Sequence, residues 1–316
     1  MEKALLGAKV LVTGATGFLG KFVVHALAEQ GAVSIPISKR LGYDLRNETE
    51  VLQALLIEKP DIVVHLAATV GGIGANMARP ATFFRDNILM GVNIVHAAAM
   101  AGIKLVNVST CCGYPKHCKP PFKEEDFWNG YPEETNAPYG IAKKALHVMC
   151  EAYRKQHGFQ YAYLIPANLF GPGDTFDEKN SHVIPALIKR FVDAFEADAP
   201  EVTCWGTGKA TRSFLFAADA AKAIAIACAE LDSDQIVNLP GSEEISMLKL
   251  ATLVAKLCKY KGKICWDSTR PDGQPRRALD GTRARTMLGW APETTLEAGL
   301  EATIDWYKDE RKKAAK

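Results

Sequence analysis

The chain predicts an α/β fold, a parallel sheet with helices on both faces followed by a smaller mixed lobe. Two observations carry this reading. Strand-like and helix-like segments alternate through the first half of the 316 residues, the pattern of βαβ units whose helices cover both sides of a parallel sheet. The first strand also runs through a glycine turn directly into a helix, the context in which such glycines mark a Rossmann-type dinucleotide site. Hydrophobic residues make up 48% of the chain, enough for a substantial core in one large domain or two intimate ones.

The elements follow in order. Lys9-Val10-Leu11-Val12 is short, apolar and rich in β-branched residues, and predicts the strand Lys9–Thr13. Thr13-Gly14-Ala15-Thr16-Gly17-Phe18-Leu19-Gly20 follows, then Phe22 to Leu27 with helical apolar spacing, for a helix over 20–30. Glycines permit a tight turn and close backbone approach, and the helix N-terminus offers unpaired N–H groups to a pyrophosphate. Gly14, Thr16, Gly17, Phe18, Leu19 and Gly20 are therefore candidate cofactor contacts. A glycine turn that merely packs helix on strand is the plain alternative.

The second strand, Val33–Ile37, runs into Ser38, Lys39 and Arg40. NAD sites place an acidic residue here for the ribose 2′-OH. A hydroxyl and two cations instead favour the 2′-phosphate of NADP over NAD, with solvated loop charges as the alternative. Asp44 and Leu45 are placed at the end of a third strand, where Asp44 accepts from the adenine amino group or caps the following turn. Helices over 48–59, 83–101 and 139–157 alternate with strands over 62–66, 104–109 and 161–166. Ligands on such sheets bind at the carboxyl ends of strands. Leu66, Ala67, Ala68, Thr110, Cys112, Pro166, Asn168 and Leu169 should then converge with the glycine turn on one cleft.

After Gly171-Pro172-Gly173-Asp174 the pattern loosens. A helix over 183–195, a strand over 202–205, a Pro/Gly/Arg-rich stretch over 270–277 and a helix over 296–309 remain, and the charged tail 308–316 is expected to fray. The expected division is a nucleotide-binding domain over 1–170 with part of about 213–240, and a substrate lobe over 171–212 and about 241–316.

The net charge of +2 gives no support to a nucleic-acid or membrane-surface role. No apolar run is long enough to span a bilayer. Residues 1–6 lead almost directly into the first strand, so the expected setting is cytosolic. The eight cysteines contain no C-x-x-C pair, and no zinc spacing is present, so no metal is expected.

Tyr139 and Lys143 stand four apart on one helical face. A phenol beside an ammonium is expected to have its pKa drawn down toward working pH, as a proton donor requires. Alone, this spacing fits a surface lysine one turn beyond a half-buried tyrosine better than it fits a catalytic pair.

The glycine turn, His65-Leu66-Ala67-Ala68, Ser109-Thr110 and the Tyr139/Lys143 pair together resemble the extended short-chain dehydrogenase/reductase superfamily. Val70-Gly71-Gly72-Ile73-Gly74-Ala75-Asn76, Cys112-Gly113-Tyr114-Pro115, Asn180-Ser181-His182-Val183-Ile184-Pro185 and Trp205-Gly206-Thr207-Gly208 narrow the resemblance to the GDP-L-fucose synthase family. That resemblance implies C3 and C5 epimerisation of a GDP-4-keto-6-deoxy-hexose through an enolate, then hydride transfer to C4. It implies catalytic roles for Thr110, Cys112, Tyr139, Lys143 and His182, the last three also touching cofactor. It implies substrate contacts at Asn168, Val183, Arg190, Trp205, Arg212 and Arg270, and a homodimer through the long helices near 83–101 and 139–157. Thr110 replaces a serine, Gly113 a branched residue, and Phe216-Ala217-Ala218 the usual His-Val-Asp. A keto-heptose, only part of the activity, a 4-epimerase with tightly held NAD, or a dinucleotide sensor without catalysis remain the alternatives.

Overall fold

The computed structural model describes residues 4–177, 180–270 and 272–314. In chain order the elements begin β1 (Lys9–Thr13), α1 (Phe18–Glu29), β2 (Val33–Ile37), α2 (Glu48–Glu58), β3 (Ile62–His65), α3 (Ile73–Ala78), α4 (Pro80–Met100), β4 (Lys104–Val108), α5 (Ala137–His157), β5 (Tyr161–Pro166) and β6 (Asn168–Phe170). They continue α6 (Val183–Glu196), β7 (Glu201–Trp205), β8 (Thr211–Phe216), α7 (Ala217–Glu230), β9 (Ile236–Leu239), β10 (Glu244–Ser246), α8 (Met247–Leu257), β11 (Lys263–Asp267), β12 (Arg276–Arg277), α9 (Thr282–Leu288) and α10 (Leu296–Ala314).

Six strands form one sheet in the order β2-β1-β3-β4-β5-β9, every pair parallel. The strand order reverses between β1 and β3, and a cleft opens at such a switch point outside the carboxyl ends. Val10, Leu11, Val12, Val63, Val64, Leu105, Val106 and Leu164 are fully buried, as strands covered on both faces require. Neighbouring Thr13 and His65 form a polar floor at the strand ends. Thr13 Oγ1 lies 2.9 Å from His65 Nδ1 and accepts the N–H groups of Leu66 and Ala67. Burial, and then the Lys143 charge, push the His65 pKa well below its usual value.

A second cluster, built on α6, α8 and α10, surrounds Phe170, Phe191, Phe214 and Leu250. Strand β8 pairs with β6, β10 and β12, and β7 pairs with β11, so the second lobe is mixed.

Three local expectations are corrected. No strand ends at Asp44: Lys39–Leu41 is a 3₁₀ turn closed by Gly42 at φ 91°, and Asp44 lies in the loop leading to α2. Helix α5 starts at Ala137, so Tyr139 sits inside its first turn, because Pro138 occupies a position whose N–H has no helical partner. The tail helix holds to Ala314, where Arg311 bonds Asp193 at 2.6 Å and Glu196 at 2.8 Å. Pro271 and residues 315–316 lie outside the described residues.

Candidate active site

One cleft of about 1340 Å³ runs from the glycine turn across the sheet ends into the second lobe. At its inner end Gly14 takes φ +70° against Ala67, and a Cβ at Gly20 would stand 2.2 Å from the Gly14 carbonyl. The turn therefore closes tightly onto α1. Gly17 caps α1 with no side-chain partner, and the first turn carries no acidic residue. Free N–H groups and the positive helix end face the cleft, the environment an anionic pyrophosphate needs. On this observation the residues fit a dinucleotide. Thr16 Oγ1 donates to Ser38 Oγ at 3.1 Å, and Ser38, Lys39 and Arg40 line the same end. Asp44 is already engaged: Arg46 holds its carboxylate by contacts of 2.5 to 3.2 Å and lowers its pKa to about 2.

The middle of the cleft is made by the ends of β3, β4 and β5. Leu66, Ala67, Ala68, Thr110, Cys112, Tyr139, Lys143, Pro166, Asn168 and Leu169 all line it, though His65 is buried beneath. Lys143 is 2% exposed. Its ammonium donates to the Val108 carbonyl at 3.0 Å, and burial brings its pKa down to about 8. Tyr139 packs edge-on against Phe83 at 6.4 Å. Its expected downward shift is corrected: burial and then the Cys112 charge raise it, with only the Thr110 hydroxyl opposing. Desolvating a phenolate outweighs a lysine held on a backbone carbonyl. The phenol is thus fully protonated at neutral pH, which is the state a proton donor needs.

Thr110 Oγ1 accepts the Cys112 N–H at 3.2 Å, capping the 3₁₀ turn Cys111–Gly113. The Cys112 thiol is lowered to about 5, first by the Cys111 thiol and then, against burial, by Arg277 and Thr110. Arg277 Nη1 stands 3.6 Å from Cys112 Sγ and its Nε donates to Gln274 Oε1 at 3.0 Å. The Arg277 guanidinium therefore stands where it favours the Cys112 thiolate.

His182 and Val183 also line the cleft, at the start of α6. Asp174, reached by the His182 charge, is buried, with Oδ2 lacking a partner among the described residues. Burial raises its pKa and the His182 charge opposes that rise.

The outer end belongs to the second lobe. Arg212 donates to the carbonyls of Thr211 and Asp272 at 2.7 and 3.1 Å. Arg190 and Trp205 line the cleft, with Arg190 5.7 Å from the indole centroid. Arg270 does not line it. It lies over Trp205 at 5.0 Å and pairs with Asp267 at 3.6 Å. The cleft thus brings together every candidate site residue except Arg270.

Arg277, Gln274, Asp174 and Cys111 were not singled out as site residues from the sequence. Arg277 had one available signal, its place in the Pro/Gly/Arg-rich stretch over 270–277. Two departures from the family pattern, Gly113 and Phe216, have packing causes. A Cβ at Gly113 would meet Phe127 at 2.8 Å, and Phe216 packs on Phe22 and Phe170.

Residues 10–239 match the NAD dependent epimerase/dehydratase family. The chain is 39% identical to the probable GDP-L-fucose synthase 1 of Oryza sativa subsp. japonica, over 95% of this chain and 92% of that one. Among solved structures it is similar to a GDP-L-fucose synthetase from Naegleria fowleri bound to NADP, with a TM-score of 0.88, 27% identity and coverage of 98% and 95%. It is also similar to a GDP-6-OMe-4-keto-L-xylo-heptose reductase from C. jejuni, with a TM-score of 0.89, 26% identity and coverage of 96% and 98%.

Proposed function

The chain belongs to the NAD dependent epimerase/dehydratase family and, within it, to the GDP-L-fucose synthases, and from that premise we propose how its cleft works as a GDP-keto-sugar epimerase/reductase. The observation that carries the reading is the meeting of two proton-handling sets in one cleft. Cys112 and His182 form one set, Tyr139 and Lys143 the other.

Protons alpha to a 4-keto group are acidic because the enolate places charge on oxygen. The Cys112 thiolate takes such a proton, and His182, lining the same cleft, returns one to the other face. Thr110 and Tyr139 donate hydrogen bonds to O4 as that charge develops. NADPH, when bound, supplies the hydride for C4. Tyr139 then gives its proton to O4, and Lys143 stabilises the phenolate left behind. Asn168, Val183, Arg190, Trp205 and Arg212 hold the GDP-sugar, with Arg212 for the diphosphate. Arg270 acts from outside the cleft by bracing Trp205.

The free-enzyme pKa values set the pH profile. Cys112 must be deprotonated, which fails as pH falls through about 5. Lys143 must be charged, which fails as pH rises through about 8. The kcat/KM for the keto sugar should therefore be bell-shaped with limbs near those values. A profile flat from 4 to 10 would remove both assignments.

NADP preference rests on Ser38, Lys39 and Arg40 at the end of β2, with no carboxylate among them. Removing Lys39 and Arg40 should lower the NADPH over NADH preference by about tenfold for each cation. Equal loss with both cofactors would assign these charges to the fold instead.

Homodimerisation through α4 and α5 belongs to the same proposal. The two helices pack on each other and leave Phe84, Val92, Met100 and Val148 exposed. A cytosolic setting suits the eight free thiols. The 6-deoxy-hexose is the first substrate to test and a keto-heptose the second, since both occur among the relatives.

A further inference from the structure

We propose that Cys111 and Cys112 form a reversible oxidation site, at which a hydroperoxide joins the two adjacent thiols and silences the epimerising base. The loss of epimerisation rests on the catalytic reading above; the oxidation chemistry does not. Cys112 is partly exposed and both cysteines line the cleft. The Arg277 guanidinium stands 3.6 Å from the Cys112 sulfur. Cys111 is 4% exposed, with its sulfur 3.6 Å from Asn168 Oδ1. Thiolate character, access and a second thiol next in sequence are the three properties of a peroxide-sensitive cysteine. The other cysteines lack that combination. Cys150, Cys204, Cys228 and Cys258 are buried, and burial holds the thiol of Cys118 up at about 11.

The chemistry balances in two steps. The Cys112 thiolate attacks one peroxide oxygen, the O–O bond breaks, a sulfenic acid forms and hydroxide leaves. The Cys111 thiol then attacks the Cys112 sulfur, the S–S bond forms, the S–O bond breaks and water leaves. Forming each disulfide removes two electrons from the two thiols, and one peroxide takes them. Adjacent Cα atoms are about 3.8 Å apart across a trans peptide, below the usual disulfide separation of about 4.4–6.8 Å. The ring is therefore strained, and a dithiol reopens it readily.

The test is peptide mass mapping of the full chain after hydrogen peroxide and alkylation. The expected result is loss of two hydrogens from the peptide carrying Cys111 and Cys112, before Cys118 or Cys265 changes, and full recovery with dithiothreitol. In Cys111→Ser the reaction should stop at a dimedone-trappable sulfenic acid on Cys112 and proceed to a sulfinic acid that dithiothreitol does not reverse. Arg277→Gln should slow the first step by about tenfold at neutral pH. Oxidation of Cys118 or Cys265 while Cys111 and Cys112 still alkylate fully would overturn the proposal. So would an unchanged product in Cys111→Ser. Turnover by an enzyme whose pair resists peroxide sinks this inference alone. A pair that oxidises in a protein unable to turn over any GDP-keto sugar sinks only the catalytic reading.

Discussion

Tyr139→Phe should lose reduction at C4 by about 10²- to 10⁴-fold, the range for removing a positioned general acid, while hydrogen exchange at C3 and C5 survives. The phenylalanine keeps the edge-on contact with Phe83, so only the hydroxyl is removed. The Thr110 hydroxyl still lies at the sheet end beside Cys112 and still donates to O4. Enolate formation slows by the loss of one hydrogen bond. Reduction loses its proton source outright, because burial holds the Tyr139 phenol protonated and the Lys143 ammonium is turned to the Val108 carbonyl at 3.0 Å. Stopped-flow oxidation of NADPH measures the first quantity, and deuterium uptake from solvent the second. Equal loss of both, with unchanged melting, would make Tyr139 an orienting residue instead of the proton donor.

What was legible in the sequence follows from how local the signals are. The glycine turn declares itself because Gly14 and Gly20 answer a steric demand within eight residues. The sheet strands declare themselves as near-continuous apolar runs, since both faces are covered. Asp44 misled because its ending strand was inferred from alternation alone, whereas Gly42 closes a 3₁₀ turn there. The Tyr139 shift misled for a different reason. Sequence spacing places Lys143 on the same face but says nothing of desolvation, which outweighs it. Arg277 is 165 residues from Cys112 in sequence, and no periodicity links them. The site's electrostatics thus depend on a long-range contact that only β12, pairing with β8, brings into place.

Cys112→Ser is the complementary case, and its expected effect is loss of deuterium uptake at C3 and C5 by about 10²- to 10⁴-fold. Serine preserves size and polarity, but its hydroxyl does not ionise near neutrality, so no base faces the C–H bond. Reduction of a sugar supplied already epimerised should persist, because Tyr139 and Lys143 keep their contacts with Phe83 and Val108. The thiolate also offers a control that serine lacks. Arg277 is one of the groups holding Cys112 down to about 5, so Arg277→Gln should move the acid limb of the exchange profile upward toward the ordinary thiol range, with the alkaline limb unchanged. A limb that stays in place would transfer the base from Cys112 to His182. Exchange that survives Cys112→Ser at full rate would do so more directly, and would leave the thiolate without a catalytic task.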